Sequence, residues 1–146
     1  MGNRCETRRA EGESGALDLE SVLTRAELEP DTELLVLNPR DAVETHHVYL
    51  ATMDGECVGC VMATRDNDPI IHSLVVVKER RGGALAHDLL VQAIPQLIDH
   101  VRPDWLWTAV DPARTGARER FARLGFVPDE NEVQGHALMR KRVAVA

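Results

Sequence analysis

The most informative segment of the chain runs from Ile70 to Leu90 and reads IIHSLVVVKERRGGALAHDLL. The first eight of these residues are mostly β-branched, which predicts a strand buried on both faces. From Ala84 to Pro103 apolar residues recur at helical spacing, which predicts a long helix that Pro95 kinks or splits. Between strand and helix lies Arg80-Arg81-Gly82-Gly83. The segment therefore predicts a strand that leads through a glycine-containing turn into a helix.

The start of that helix is a candidate anion site. Unpaired N–H groups and the helix dipole attract anions at a helix N-terminus, and glycine lets a phosphate approach the backbone. Lys78, Arg80, Arg81 and His87 surround the turn, although the whole chain has a formal net charge of −7. An anionic ligand is one interpretation, and an ordinary strand–helix turn with solvated charges is the other. The turn lacks the patterns of a P-loop or of a dinucleotide-binding fold, so nucleotide triphosphatases and dehydrogenases are not expected.

The rest of the chain predicts further strands and helices, and together they form an α/β (α+β) sheet with helices packed on it. Asp54-Gly55 between two β-rich runs predicts a hairpin. Gly125 is expected to end the last helix. The remaining predicted elements are an edge strand at 4–10 and a flexible turn within 1–16, helices at Leu17–Leu28 and Arg114–Leu124, the hairpin strands 47–52 and 57–63, and strands at Trp105–Val110 and His136–Val143.

Length and composition limit the classes of protein that are possible. A chain of 146 residues, 44% hydrophobic and 28% charged, fits one globular domain spanning 1–146. A net charge of −7 argues against nucleic-acid binding, which needs a basic face. No apolar run is long enough to span a membrane. A polar N-terminus without an apolar core and an odd number of cysteines, three, lead us to expect a cytoplasmic protein.

Four motifs, in order along the chain, resemble those of the GNAT superfamily of N-acyltransferases. Leu74–Leu90 resembles the acetyl-CoA motif of the family, roughly V-x-P-x-x-[RQ]-x-x-G-x-[GA]. Asp54–Gly59 matches its D-G-x-x-V-G hairpin turn. Arg123–Phe126 resembles its helix that ends in a Gly-Phe pair, and Met139–Val143 resembles its closing strand.

The resemblance implies a mixed, mostly antiparallel sheet that is splayed between the neighbouring strands Leu74–Val77 and Trp105–Val110, with helices on both faces. The pantetheine arm of acetyl-CoA would lie in the splay, and its pyrophosphate would lie on backbone N–H groups at the start of the helix. The reaction implied is direct acyl transfer from acetyl-CoA to the amine of a small-molecule or protein acceptor, with no metal. The implied cofactor-binding residues are Leu74, Val75, Val76, Arg81, Gly82, Gly83, Ala84, Leu85, Ala86 and His87.

His72 is the candidate catalytic residue. It stands on the motif strand where family members often carry a glutamate that acts as a base, and an imidazole has a suitable pKa for that role. The alternative is a partly buried strand histidine with a backbone partner. Ser73 is the next position to consider, and it is expected on the opposite face of the strand.

The chain also departs from the family pattern. Ala84 replaces the first motif glycine and brings a Cβ near the phosphate path, Lys78 replaces a proline, and Arg114 replaces an asparagine. Phe121 lies five residues before Phe126, where many members have a tyrosine that acts as general acid. Because phenylalanine cannot donate a proton, a protein of this fold that binds CoA or a protein partner without efficient catalysis is the alternative. A homodimer is left open.

Cys57-Val58-Gly59-Cys60 is a C-x-x-C sequence, for which a metal or redox site is a third hypothesis. Side chains three apart in a regular strand point to opposite faces and cannot share a metal or form a disulfide. We therefore expect two ordinary strand cysteines.

Overall fold

The computed structural model of the chain describes residues 5–26, 38–112, 115–133 and 135–143. The predicted helix end at Leu28 and the family position Arg114 lie outside these ranges. Within these ranges a 3₁₀ turn spans Lys78–Arg80. The helices and strands are β1 (Glu6–Arg9), α1 (Gly12–Arg25), α2 (Pro39–Thr45), β2 (His46–Met53), β3 (Glu56–Thr64), β4 (Ile70–Val76), α3 (Leu85–Val101), β5 (Trp105–Val110), α4 (Thr115–Arg123), β6 (Val127–Val133) and β7 (His136–Arg142).

The seven strands form one sheet in the order β1-β2-β3-β4-β5-β7-β6. Every neighbouring pair is antiparallel except β4 and β5, which are parallel. Helices cover both faces, and α1 packs on α2. The predicted mixed α/β fold is therefore confirmed. None of the helices in the described ranges has the length and hydrophobicity needed to cross a bilayer.

The β2–β3 hairpin forms as predicted. Asp54 and Gly55 both have positive φ angles, 53° and 78°, as a type I′ turn requires. This turn brings the start of β3 beside α1, where Arg25 donates a hydrogen bond of 3.1 Å to the Cys57 carbonyl.

The two parallel strands pair over only two residues each, at the start of β4 and in the middle of β5. Ile70 pairs with Trp107 and Ile71 with Thr108, whereas β4 continues to Val76 and β5 to Val110. The buried Thr108 hydroxyl donates a hydrogen bond of 3.0 Å to the Ile71 carbonyl at the end of this ladder. Beyond that point the backbone edges of β4 and β5 are not paired with each other. This is the splay that the resemblance implies.

Several elements differ from the sequence prediction. The flexible turn expected within 1–16 is instead the first turn of α1, which begins at Gly12. The short helix α2 was not predicted, although Asn38 caps it with a hydrogen bond of 2.9 Å from Arg40 N–H and a proline follows that cap, which are standard helix-start signals. The edge strand β6 was not predicted because its residues are mostly exposed and polar, so they lack an apolar alternation.

The long helix α3 is continuous from Leu85 to Val101. Pro95 lies inside it and faces solvent, so of the two predicted outcomes, a kink or a split, the split is wrong. Leu89, Leu90, Ala93 and Leu97 of this helix are buried, and this packing holds the helix together despite a proline that removes one backbone hydrogen bond.

The exposed proline gives a direct test of this packing argument. Pro95→Ala restores the missing N–H donor and loses no buried contact, so we expect the free energy of unfolding to rise by about 1–3 kcal/mol. Urea unfolding measures the change. Asp99→Ala, an exposed substitution one turn later in the same helix, is the control and should change stability little. A Pro95→Ala protein no more stable than the wild type would show that the local backbone requires proline.

Candidate active site

A β-bulge in β4 shapes the centre of the candidate site. Met62 of β3 pairs with His72, but Cys60, two residues away, pairs with Val75, so β4 contains one extra residue. Ser73 lies in this bulge with a φ of 54°. The bulge brings the Ser73 hydroxyl to 2.7 Å from Nδ1 of His72. The expectation that Ser73 lies away from His72 on the opposite face assumed a regular strand, and it is wrong for that reason.

The His72 imidazole is buried, with 7% of its surface exposed. Its Nε2 atom has no hydrogen-bond partner among the described residues. The ring of His46 meets it edge to face, with 5.1 Å between ring centroids. Burial, and secondly the neighbouring His46, lower the pKa of His72 from 6.5 to about 4. The ring is therefore neutral near pH 7, and within the described ranges its buried Nε2 atom has no hydrogen-bond partner.

The backbone of β4 beyond the bulge has a free edge toward β5. The Val77 N–H donates to the Val58 carbonyl of β3 over 2.9 Å. Because neighbouring residues of a strand direct their N–H and C=O groups to opposite sides, the backbone groups of Val76 point toward the splay. The Val76 carbonyl accepts a hydrogen bond of 3.2 Å from Nε of Arg81. Leu74 and Val76 are both half-buried, whereas Val75 is buried.

The N-terminus of α3 is open, as the anion-site interpretation requires. Ala84 is its N-cap, with φ −88° and ψ 1°, and no side chain caps the helix there. The first hydrogen bond of the helix runs from Asp88 N–H to the Ala84 carbonyl, 2.9 Å, so the earlier N–H groups lack helical acceptors. A cavity of about 270 Å³ lies beside this end and is lined by Met53, Arg80, Gly83, Ala84, Leu85 and Asp88.

Gly82 and Ala84 in this turn each have a backbone conformation that suits the residue present. Gly82 has a φ of 85°, which explains why glycine is present there. Ala84 has an ordinary backbone conformation and is exposed, so its Cβ causes no strain.

Arg81 has a different role in the structure from the one its position suggests. One guanidinium nitrogen donates to the Ala26 carbonyl just after α1, and Nε donates to the Val76 carbonyl. The side chain thus links α1 to the end of β4. Arg80, in contrast, is exposed and lines the cavity at the start of α3. Glu79 is paired with Arg25 over 3.0 Å. Arg80 is thus the basic side chain of the turn that faces this cavity.

Phe121 is buried at 4% exposure. Its ring packs edge to face on Phe126, with 5.3 Å between centroids, and its carbonyl accepts hydrogen bonds from the N–H groups of Leu124 and Phe126. Phe121 therefore closes the end of α4 as a packing residue and offers no proton.

The C-x-x-C cysteines are both free. A bulge in β3 pairs Cys57 with Thr52 and Cys60 with Leu50, so the two side chains share a face, and the prediction of opposite faces is wrong. Burial raises the pKa of Cys60 to about 12, while Cys57 is half-exposed with its Sγ 3.7 Å from the Arg8 guanidinium. Within the described ranges, no three His, Cys, Asp or Glu residues are grouped as metal ligands.

The buried His72 makes stability depend on pH. Its pKa is about 4 in the folded chain and about 6.5 in an unfolded one, so the unfolded chain binds more protons between these values. The free energy of unfolding should therefore fall as pH decreases from about 6.5 to about 4, by roughly 3 kcal/mol for this group. Denaturant unfolding of the wild type and of His72→Gln at about pH 7 and about pH 4.5 measures the difference.

Two comparisons make that result specific. Burial also lowers the pKa of His47 to about 4, so the pH dependence should weaken in His72→Gln without vanishing. His87→Gln, which replaces an exposed histidine, should keep the wild-type dependence. An equal loss of stability in His72→Gln and the wild type would contradict the burial of a neutral His72.

Three solved structures show how closely this fold matches known proteins. A GNAT family acetyltransferase from Streptococcus pneumoniae is 20% identical over 96% of this chain and 99% of its own, with a TM-score of 0.75. A GNAT family acetyltransferase from Elizabethkingia anophelis with acetyl-CoA bound is 15% identical over 97% of this chain and 100% of its own, with a TM-score of 0.72. The ribosomal-protein-S18-alanine N-acetyltransferase from Escherichia coli is 14% identical over 97% and 96%, with a TM-score of 0.72. At these identities the likeness is one of fold.

Sequence comparison supplies the family. No curated protein matches the chain. The sequence profile described as the acetyltransferase (GNAT) domain, however, matches residues 27–139, which is more than half of the chain and includes the β4–α3 unit with its open helix end. The chain therefore belongs to the GNAT acetyltransferase family.

Proposed function

We propose that this protein is an N-acetyltransferase that transfers an acetyl group from acetyl-CoA to the amine of an acceptor, with His72 as general base. The observation that carries the proposal is the unpaired edge of β4, which begins at His72 in the chain and leads to the open N-terminus of α3. Nε2 of His72 is buried without a partner among the described residues. A chain of this family that has both features can hold a long thioester with its reactive end near a base.

The cofactor would lie along that edge. We propose that backbone groups of Leu74 and Val76 bind the pantetheine arm, with Val75 anchoring the strand on β3. The pyrophosphate would lie on the backbone N–H groups at the start of α3. Arg80 would add a positive charge beside the pyrophosphate. Arg81 would stabilise the turn through its hydrogen bonds to the Val76 and Ala26 carbonyls. Of the cofactor-binding residues that the resemblance implies, Arg81 would support the turn, and the proposed cofactor contacts are Leu74, Val75, Val76, Gly82, Gly83, Ala84, Leu85, Ala86 and His87.

The chemistry needs one proton acceptor and a leaving group. The amine nitrogen attacks the thioester carbonyl carbon, a C–N bond forms, and Nε2 of His72 takes a proton from that nitrogen. The tetrahedral intermediate then breaks its C–S bond and releases the thiolate of CoA. The thiolate takes a proton from water, and the hydroxide that remains takes the proton from His72, which returns to its neutral form. Because a free thiol has a pKa of only about 8–9, this thiolate can leave without the acid that Phe121 cannot supply.

A second candidate function is a module that binds CoA or a protein partner without efficient catalysis. Phe121 favours it, because a buried, edge-packed phenylalanine stands where many family members have their general acid. Thiol release from acetyl-CoA, tested over a panel of amines, separates the two functions. A protein that binds acetyl-CoA but releases no thiol with any amine is the binding module.

Binding of CoA tests the proposed pyrophosphate position. Arg80→Glu places a carboxylate at the start of α3, so the affinity for CoA measured by calorimetry should fall by about tenfold or more. Arg142→Glu, the same change in charge at an exposed position of β7 opposite Trp105, is the matched control and should bind CoA as the wild type does. Equal affinities in all three proteins would place the pyrophosphate elsewhere.

Single-turnover transfer tests the proposed base. With an accepted amine, His72→Gln should slow transfer by about 10²–10⁴-fold, while His87→Gln should affect cofactor affinity more than the transfer step. Because the pKa of His72 is lowered to about 4, the wild-type rate per unprotonated amine should stay level from about pH 5 to about pH 9. A change in this rate with a midpoint at about pH 6.5, or an unchanged rate in His72→Gln, would show that another group is the base.

A further inference from the structure

Among the described residues, three other than glycine have a positive φ: Asp54 at 53°, Ser73 at 54° and Arg102 at 54°. Asp54 lies in the β2–β3 turn, and Arg102 is the C-cap of α3, which are common places for this conformation. Ser73, in contrast, lies inside a strand. A strained residue within a sheet persists only where its surroundings hold it, and such residues concentrate at functional sites.

The positive φ of Ser73 has one direct consequence. In a regular strand its hydroxyl would lie on the face opposite to the His72 ring, but in the bulge the Oγ atom is 2.7 Å from Nδ1 of His72. A hydroxyl can donate or accept, so this contact alone permits either tautomer of the neutral imidazole.

The other ring nitrogen distinguishes the two tautomers. Nε2 of His72 is buried without a partner in the described part of the chain. A buried N–H group without an acceptor is rarer in proteins than a buried acceptor that lacks a donor. The proton therefore belongs on Nδ1, which donates to Ser73 Oγ, and Nε2 keeps its lone pair.

The neighbouring His46 does not supply a proton to that lone pair. The Thr45 hydroxyl donates its one proton to the Asp41 carbonyl, 2.7 Å away. It must therefore accept from His46 Nδ1, at 2.8 Å. Neutral His46 thus carries its proton on Nδ1 as well, and its Nε2 has none to donate. Arg65 donates to the His46 carbonyl over 3.2 Å and adds positive charge on this side of the sheet.

We propose that Ser73 is a positioning residue that holds His72 as the Nδ1–H tautomer, so that the lone pair of Nε2 is available to take the proton of the acceptor amine. The role in transfer rests on the proposed function, whereas the tautomer itself does not. Which nitrogen of a histidine is protonated is commonly set by the hydrogen bond that the other makes, and here the bulge supplies that bond.

The test uses the full-length chain with ¹⁵N-labelled histidine, whose ring nitrogen shifts in NMR distinguish the two tautomers. Ser73→Gly removes the hydroxyl and adopts a positive φ without strain, so the substitution does not depend on forcing a side chain into the bulge. Asp54→Gly also introduces a glycine, at a φ only one degree different. It lies in the β2–β3 turn, for which no contact with His72 is found, and is the matched control.

The wild type and Asp54→Gly should show His72 as the Nδ1–H tautomer, and Ser73→Gly should move it toward Nε2–H. With an accepted amine, single-turnover transfer should fall at least tenfold in Ser73→Gly, with unchanged affinity for CoA. A wild-type His72 protonated on Nε2, or an unchanged tautomer in Ser73→Gly, would overturn the inference. A shifted tautomer with wild-type transfer would overturn the role of Ser73 in the reaction. Absence of transfer from the wild type to any amine would instead overturn the proposed function, and the NMR result would still decide the tautomer.

Discussion

In a regular antiparallel pair each residue of one strand faces one residue of the other, and β3 and β4 depart from this rule by a single residue. The extra residue lies between His72 and Val75, which pair with Met62 and Cys60. The bulge therefore keeps His72 and Val75 on the same buried face, although they are three residues apart. It also turns the Ser73 hydroxyl onto the His72 ring and leaves Leu74 half-buried at the free edge of the strand. The position of the candidate base and the start of the candidate cofactor groove both depend on this mismatch.

The far end of the same strand is held by a different interaction. Arg81 donates hydrogen bonds to the Val76 carbonyl and to the Ala26 carbonyl after α1, which lies 55 residues before Arg81 in the chain. This long cationic side chain therefore links the end of β4 to the end of α1. Arg80, Ala84 and Leu85 line the cavity beside the start of α3. Arg81 therefore stabilises the segment before α3, while Arg80 brings a positive charge to the cavity at the start of that helix.

Much of the architecture could be predicted from the sequence, because its signals are local. The Asp54-Gly55 turn, the glycine at position 82 and the apolar spacing of α3 each determine structure over a few residues. The bulges could not be predicted, because a bulge is a mismatch in register between two paired strands. The sequence of either strand alone does not show that mismatch. For this reason sequence reasoning wrongly placed Ser73 away from His72 and the two C-x-x-C cysteines on opposite faces. The role of Arg81 depends on Ala26, which no short motif places nearby. The continuity of α3 through Pro95 depends on packing of its buried face, which outweighs a local helix-breaking signal.

Burial would affect His72 as the proposed base in two opposing ways. Lowering its pKa to about 4 makes the imidazole a weaker proton acceptor than a free histidine, yet it ensures that the neutral form is present throughout the neutral range. A weak base is sufficient if the proton is transferred after the C–N bond begins to form, because an amine nitrogen that donates its lone pair to a carbonyl carbon becomes far more acidic. In the proposed reaction the buried Nε2 lone pair would have no partner among the described residues to give up at that moment, so little reorganisation would be needed. In the proposed reaction the thiolate leaves without the acid missing at Phe121. Catalysis would then depend mainly on holding the amine, the thioester and the imidazole in the reactive geometry. The β4 bulge, which fixes the position of His72, would serve that purpose.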